Sequence, residues 1–177
     1  MRRFLDRLYD GAGALAAFCV FLIFVLMIVA GVGRQVNWHV SGLNDVVAWL
    51  CAAAAFFAMA HAFRHGDFVR VTLLLEKLSP AAQRRFETAA LSIAAVAVTY
   101  LAWWANRFTY ESWVFNDTAQ GMLPMPMWIP QLSFAAGSIL LLVAVLDELV
   151  IVLRGGRPSY VVAVEERHAK GDFSAEV

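Results

Sequence analysis

Two histidines four residues apart, His61 and His65, have the spacing best suited to metal chemistry in this chain. At that spacing both imidazoles share one face of a helix, an arrangement that can grip a transition-metal ion. The other histidines, His39 and His168, supply no third ligand nearby in sequence, so headgroup or helix-end roles suit the pair better than a metal site. The two cysteines, Cys19 and Cys51, each sit inside an apolar run rather than in a C-x-x-C pair, and read as small core residues. There is no Gly-rich phosphate loop, no G-x-S-x-G elbow and no carboxylate pair placed for acid and base work. The expectation is a protein without catalytic residues, bound cofactor or metal. Asp147 and Glu148 are adjacent, and Asp147 lies two helical turns before Arg154, which reads as a local ion network. Asp45, beside Asn44, reads as a helix cap.

The elements that would carry these residues are dictated by composition. The chain is 61% hydrophobic and only 16% charged over 177 residues, against about 25% charged in an ordinary soluble domain. Its zero net charge points to no nucleic-acid partner. Four apolar stretches stand out, at about 11–33, 46–63, 88–108 and 128–149. Each is long enough as a helix to cross a hydrocarbon layer about 30 Å thick. The fold class expected is an all-α integral membrane protein with four transmembrane helices and amphipathic interfacial helices, forming one membrane domain. Ser79 followed by Pro80 predicts that the third helix starts well before its span, as a cap and a first-turn proline would dictate. The centres of the spans hold no Asp, Glu, Lys or Arg, so the chain by itself has no charged path through a bilayer. Ser92, Thr99, Ser133 and Ser138 are too sparse to line a pore.

Orientation follows from the basic residues. The start carries Arg2, Arg3 and Arg7, the middle connection Arg64, Arg70, Lys77, Arg84 and Arg85, and the end Arg154, Arg157, Arg167 and Lys170. The other two connections carry only Arg34 and Arg107. The positive-inside rule therefore places both termini, the middle connection and the tail 154–177 in the cytoplasm. The first span exceeds a signal-peptide core and is not followed by a convincing A-x-A site, so it reads as a retained helix. Phe4, Leu5, Leu8 and Tyr9, set among arginines, suit a short interfacial helix. Residues 67–78 present Phe68, Val71, Leu75 and Leu78 on one stripe, too short to span and suited to lie along the inner face. Aromatic residues crowd 103–128, as expected of anchors at the outer interface.

The order of these features resembles the small membrane subunit, DctQ-like, of tripartite ATP-independent periplasmic (TRAP) transporters. The resemblance rests on Arg34 after the first span, Asp45 opening the second, R-H-G-D-F-V-R-V-T-L-L-L-E-K-L after the second, and Q-G-M-L-P-M-P-M-W-I-P before the fourth. The family's usual G-x-H-V-R-V-D is matched by Gly66, Val69, Arg70 and Val71; Phe68 and Thr72 replace its histidine and aspartate, so roles of those two side chains do not carry over. The resemblance implies a scaffold in a bacterial inner membrane. Its partners would be a large membrane subunit that holds the substrate and uses the sodium gradient, a periplasmic binding protein that delivers an organic acid, and membrane lipids. Arg70, Val71, Leu75 and Leu78 are then expected at a subunit or lipid interface. Arg34, Asn37 and Asp117 are expected to help dock the binding protein. The competing reading from the residues is the membrane anchor of an oxidoreductase, which would bind haem or quinone.

Overall fold

A computed structural model of the chain describes residues 2–38, 41–66 and 79–169. Among these the structure is all-helical: α1 Arg2–Gln35, α2 Leu43–His65, α3 Pro80–Val114, α4 Trp128–Leu153 and α5 Ser159–Ala169. The first four are long and apolar enough to cross a membrane. At 1.5 Å per residue α1 and α3, with 34 and 35 residues, extend to roughly 50 Å and overreach a hydrocarbon layer about 30 Å thick.

Small residues at helical spacing decide which faces meet. Along α1, Tyr9, Ala12, Ala16 and Cys19 are buried; along α3, Leu91, Ala95, Ala102, Ala105, Thr109 and Ser112 are. Each set forms one narrow stripe, and small side chains there let the backbones approach closely. Helix α4 buries residues all along its length, from Gln131 through Ala135 and Ser138 to Glu148 and Val152. The extensive contacts run from α1 to α2, α2 to α4 and α4 to α3, with α5 folded back on α2. The four long helices thus form an open row with α2 and α4 inside and α1 and α3 at its edges. At its centre Gly137 of α4 faces Phe56 of α2, and the Phe56 and Phe134 rings stack at 4.6 Å between centroids.

An open row leaves large apolar side chains outside, among them Phe18, Phe21 and Phe24 on α1 and Ile93, Val96 and Trp103 on α3. In water that would be costly, but lipid tails or another hydrophobic helix solvate such faces without penalty. Tryptophans and tyrosines of α3, including Trp104 and Tyr110, are exposed.

Several expectations need correction. Residues 2–10 do not form a separate interfacial helix: they continue α1, and Tyr9 packs on Ala60 and Ala144 with Leu5 and Leu8 beside it. Buried partners on two other helices explain why the helix extends past the apolar run. Cys51 is exposed rather than a core residue, because α2 turns that face away from α1 and α4. Within the segment expected to be a cytoplasmic tail, α5 buries Tyr160 against Leu91 and Val152, with Phe63 beside them. The segment 67–78, with Arg70, Val71, Leu75 and Leu78, lies outside the described residues.

Candidate functional site

Both ends of the helix row carry polar constellations, and the richer one lies where α1 begins and α2 and α4 end. Arg64, in the last turn of α2, is the hub. Its Nη2 donates to Asp6 Oδ1 at 2.8 Å, and its Nη1 to Glu148 Oε1 at 2.7 Å and Ser159 Oγ at 2.9 Å. Asp147 Oδ2 stands 3.4 Å from the same Nη1. That nitrogen has only two hydrogens, so the shorter contacts take them and Asp147 contributes chiefly by charge. Only the planar fork of arginine can serve α1, α4 and α5 at once.

Glu148 is fully buried yet satisfied at both oxygens, because Oε2 accepts the Ser159 amide at 2.8 Å. A carboxylate there also faces the positive end of the α5 dipole, favourable at a helix start. Glu148 therefore fastens α5 to the row, and Gly66 gives the necessary room. Its φ of 73° ends α2 in the left-handed region, and a Cβ there would come within 2.8 Å of the Tyr160 carbonyl. The sequence expectation of an Asp147–Arg154 network is overturned in favour of this longer-range one: Asp147 points to Arg64, whose guanidinium is less exposed and already held by two further acids. Across the row, Arg84 of α3 donates to the Val152 and Leu153 carbonyls in the last turn of α4.

His61 and His65 belong to the same end. Their rings lie 4.1 Å apart, His65 Nδ1 donates to the His61 carbonyl at 2.9 Å, and His61 Nδ1 lies 3.6 Å from Asp10 Oδ1. Gly13 permits the approach, since a Cβ there would meet the His61 ring at 2.8 Å. Two imidazoles on one helix turn cannot clasp a haem iron from opposite sides, so the pair does not build a bis-histidine haem site.

At the opposite end Asp45 does not cap its own helix. The cap position of α2 is Gly42, without a side-chain hydrogen bond, while Asp45 Oδ2 accepts the Met122 and Leu123 amides at 2.9 and 3.4 Å. The loop it holds is pinched by a backbone pairing of Thr118 with Pro126. Gly121 is required beneath it, because a Cβ would run into the Asp45 carboxylate. Asp45→Ala is expected to release residues 117–127 at a cost of about 1–2 kcal/mol, the range of a charge-assisted hydrogen bond discounted for exposure. Faster amide exchange confined to that loop, with α2 unaffected, is the expected reading; unchanged exchange would show that the latch holds nothing.

The three expected docking residues are spread over this end. Arg34 and Asp117 are exposed, and Asp117 organises the loop through its backbone, donating to Ser112 and accepting from Met127. Asn37, at φ 55°, closes α1 with the Trp38 amide returning to the Gly33 carbonyl, a turn for which asparagine is well suited. Ser92 and Thr99 bond to carbonyls four residues back, and Ser133 and Ser138 to carbonyls three back. Their hydroxyl protons are thus donated within their own helices.

Sequence reasoning missed Arg64 as a hub and Asp6, Asp10, Glu148 and Ser159 as its surroundings. A signal existed: Asp6 and Asp10 are four apart on α1, matching the spacing of His61, Arg64 and His65 on α2. Against these observations stand the comparisons. A family model described as tripartite ATP-independent periplasmic transporters, DctQ component, matches residues 23–155. No curated protein matches the chain.

Proposed function

The chain belongs to the DctQ component family of tripartite ATP-independent periplasmic transporters, and we propose that it is the small, noncatalytic subunit that scaffolds a large sodium-coupled membrane subunit. The large subunit would import an organic acid handed over by a periplasmic binding protein. The observation that carries this reading is the open helix row: its two edge helices present apolar faces that stand exposed among the described residues. A partner with large hydrophobic helices suits those faces, and spans whose centres hold no charged residue suit a static support better than a carrier.

In this reading the Arg64 end is cytoplasmic and the Asp45 end periplasmic, as the distribution of basic residues dictates. The membrane is the inner membrane of a bacterium. Residues 67–78 brace the large subunit on the inner side through Arg70, Val71, Leu75 and Leu78. Arg34, Asn37 and Asp117 meet the binding protein outside.

Purifying the tagged chain from its host in mild detergent and identifying what accompanies it tests the central claim. A colourless complex with a large polytopic subunit is expected; a Soret band or redox subunits would replace this reading with the oxidoreductase anchor. Replacing Leu75 and Leu78 by aspartate is expected to lower recovery of the large subunit several-fold, and unchanged recovery with unchanged transport would remove the bracing role.

A further inference from the structure

The histidine pair was left without a third ligand by its sequence surroundings, and the fold supplies one. One candidate donor atom from each of Asp10, His61 and His65 lies within 4.8 Å of the other two. We propose that these three residues form a binding site for a divalent transition-metal ion, with zinc as the best match, which clamps the start of α1 to the end of α2.

Four observations converge. The ligand types are right: two neutral imidazoles and a carboxylate are a donor set that zinc takes in open sites, the remaining position falling to water. The tautomer is prepared. His65 Nδ1 gives its proton to the His61 carbonyl, which leaves Nε2 with the lone pair, and a backbone carbonyl in that role is the usual outer partner of a metal-bound histidine. His61 Nδ1 is shielded and makes no hydrogen bond among the described residues, although it faces Asp10 at 3.6 Å. A shielded ring nitrogen that faces a carboxylate at this distance is placed to share a cation with it. Finally, the geometry needs little change. Tetrahedral zinc with bonds of about 2.0–2.1 Å holds its donors roughly 3.3 Å apart, and Asp10 Oδ1 already stands 3.6 Å from His61 Nδ1 on an exposed side chain.

The surroundings suit a cation too. A cavity of about 420 Å³ lined by Asp6, Asp10, Arg64, His65, Arg157 and Ser159 adjoins the site. Asp6, Asp10, Asp147 and Glu148 together outnumber the two arginines, Arg64 and Arg157, so the local field favours a further positive charge. Gly13 lets the His61 ring lie against α1 and so keeps it over the gap.

The clamp would join the two helices next to the Arg64 hub, stabilising the isolated chain wherever zinc is bound only by the folded form. The test uses the full-length chain in detergent, with an affinity tag free of histidine, and zinc chloride alone as the probe. Calorimetric titration is expected to give one zinc per chain. Asp10→Asn, His61→Gln and His65→Gln are each expected to weaken binding by roughly tenfold or more, at least as much as losing an outer-shell partner does. Cobalt(II) in the same site is expected to give visible bands of a tetrahedral centre that the His65→Gln chain lacks. A His168→Gln control should bind zinc as the parent does. Size-exclusion elution of each variant separates loss of a ligand from loss of the fold. Absence of saturable zinc binding, or binding unchanged in both His61→Gln and His65→Gln chains that remain monodisperse, would overturn the proposal.

Discussion

Replacing Arg64 by methionine is expected to destabilise the chain by about 3–5 kcal/mol, the cost of leaving a buried ionic group without its partner. The reason lies in Glu148, fully buried and paired through Oε1 with Arg64 Nη1 at 2.7 Å. With methionine present that oxygen loses its donor, and Asp6 and Asp147 become uncompensated neighbours of like charge. Arg64→Lys keeps the charge but cannot reach Asp6, Glu148 and Ser159 together, so an intermediate loss is expected. The double variant Arg64→Met, Glu148→Gln is expected to recover part of the stability, since removing both charges costs less than stranding one. Thermal unfolding of the purified chain in detergent reads all three. Equal melting temperatures for the parent and Arg64→Met would show that the cluster contributes nothing to stability.

The second large effect is expected at the centre of the row, where Gly137→Leu should cost about 3 kcal/mol or more, the upper end of the overpacking range. A Cβ at 137 would stand 2.6 Å from Phe56 Cβ and 2.7 Å from the Phe56 carbonyl oxygen. Backbone cannot move aside as a flexible side chain can, so α2 and α4 must separate, and with them the stack of Phe56 on Phe134 at 4.6 Å. Gly31→Leu is the matched control: nothing lies within 4 Å of a Cβ there, and the same change in volume should leave the isolated chain nearly unaffected. A Gly137→Leu chain that melts with the Gly31→Leu chain would refute the close approach of α2 to α4.

The two effects differ in what made them visible beforehand. Gly137 sits within an apolar run, but its partner Phe56 is on another helix and nothing local names it. Arg64 was counted among the basic residues that orient the chain. Its contacts reach Asp6, Asp147, Glu148 and Ser159, separated from it by 58 to 95 residues, and hydropathy carries no record of contacts at such separation. The same holds for Asp45, whose sequence position at a helix start suggests a cap. The structure turns its carboxylate to the Met122 and Leu123 amides instead, because Gly121 leaves space for it.

What the sequence determined alone is whatever depends on neighbours along the chain and on the solvent. In a hydrocarbon layer every backbone group must be satisfied within its own segment, so an apolar run long enough to cross becomes a helix whatever the rest does. For that reason the four helices, the early start of α3 at Ser79 and Pro80, and membership of the DctQ family were legible from residue order. Tertiary structure alone decided the rest. It set the order α1, α2, α4, α3 across the row and continued α1 back to Arg2. It fastened α5 through Glu148 and brought Asp10 to the histidines. Apolar side chains are nearly indifferent to whether lipid or protein surrounds them. The choice between faces therefore falls to small residues that let helices touch and to the few charges that must find partners at the ends.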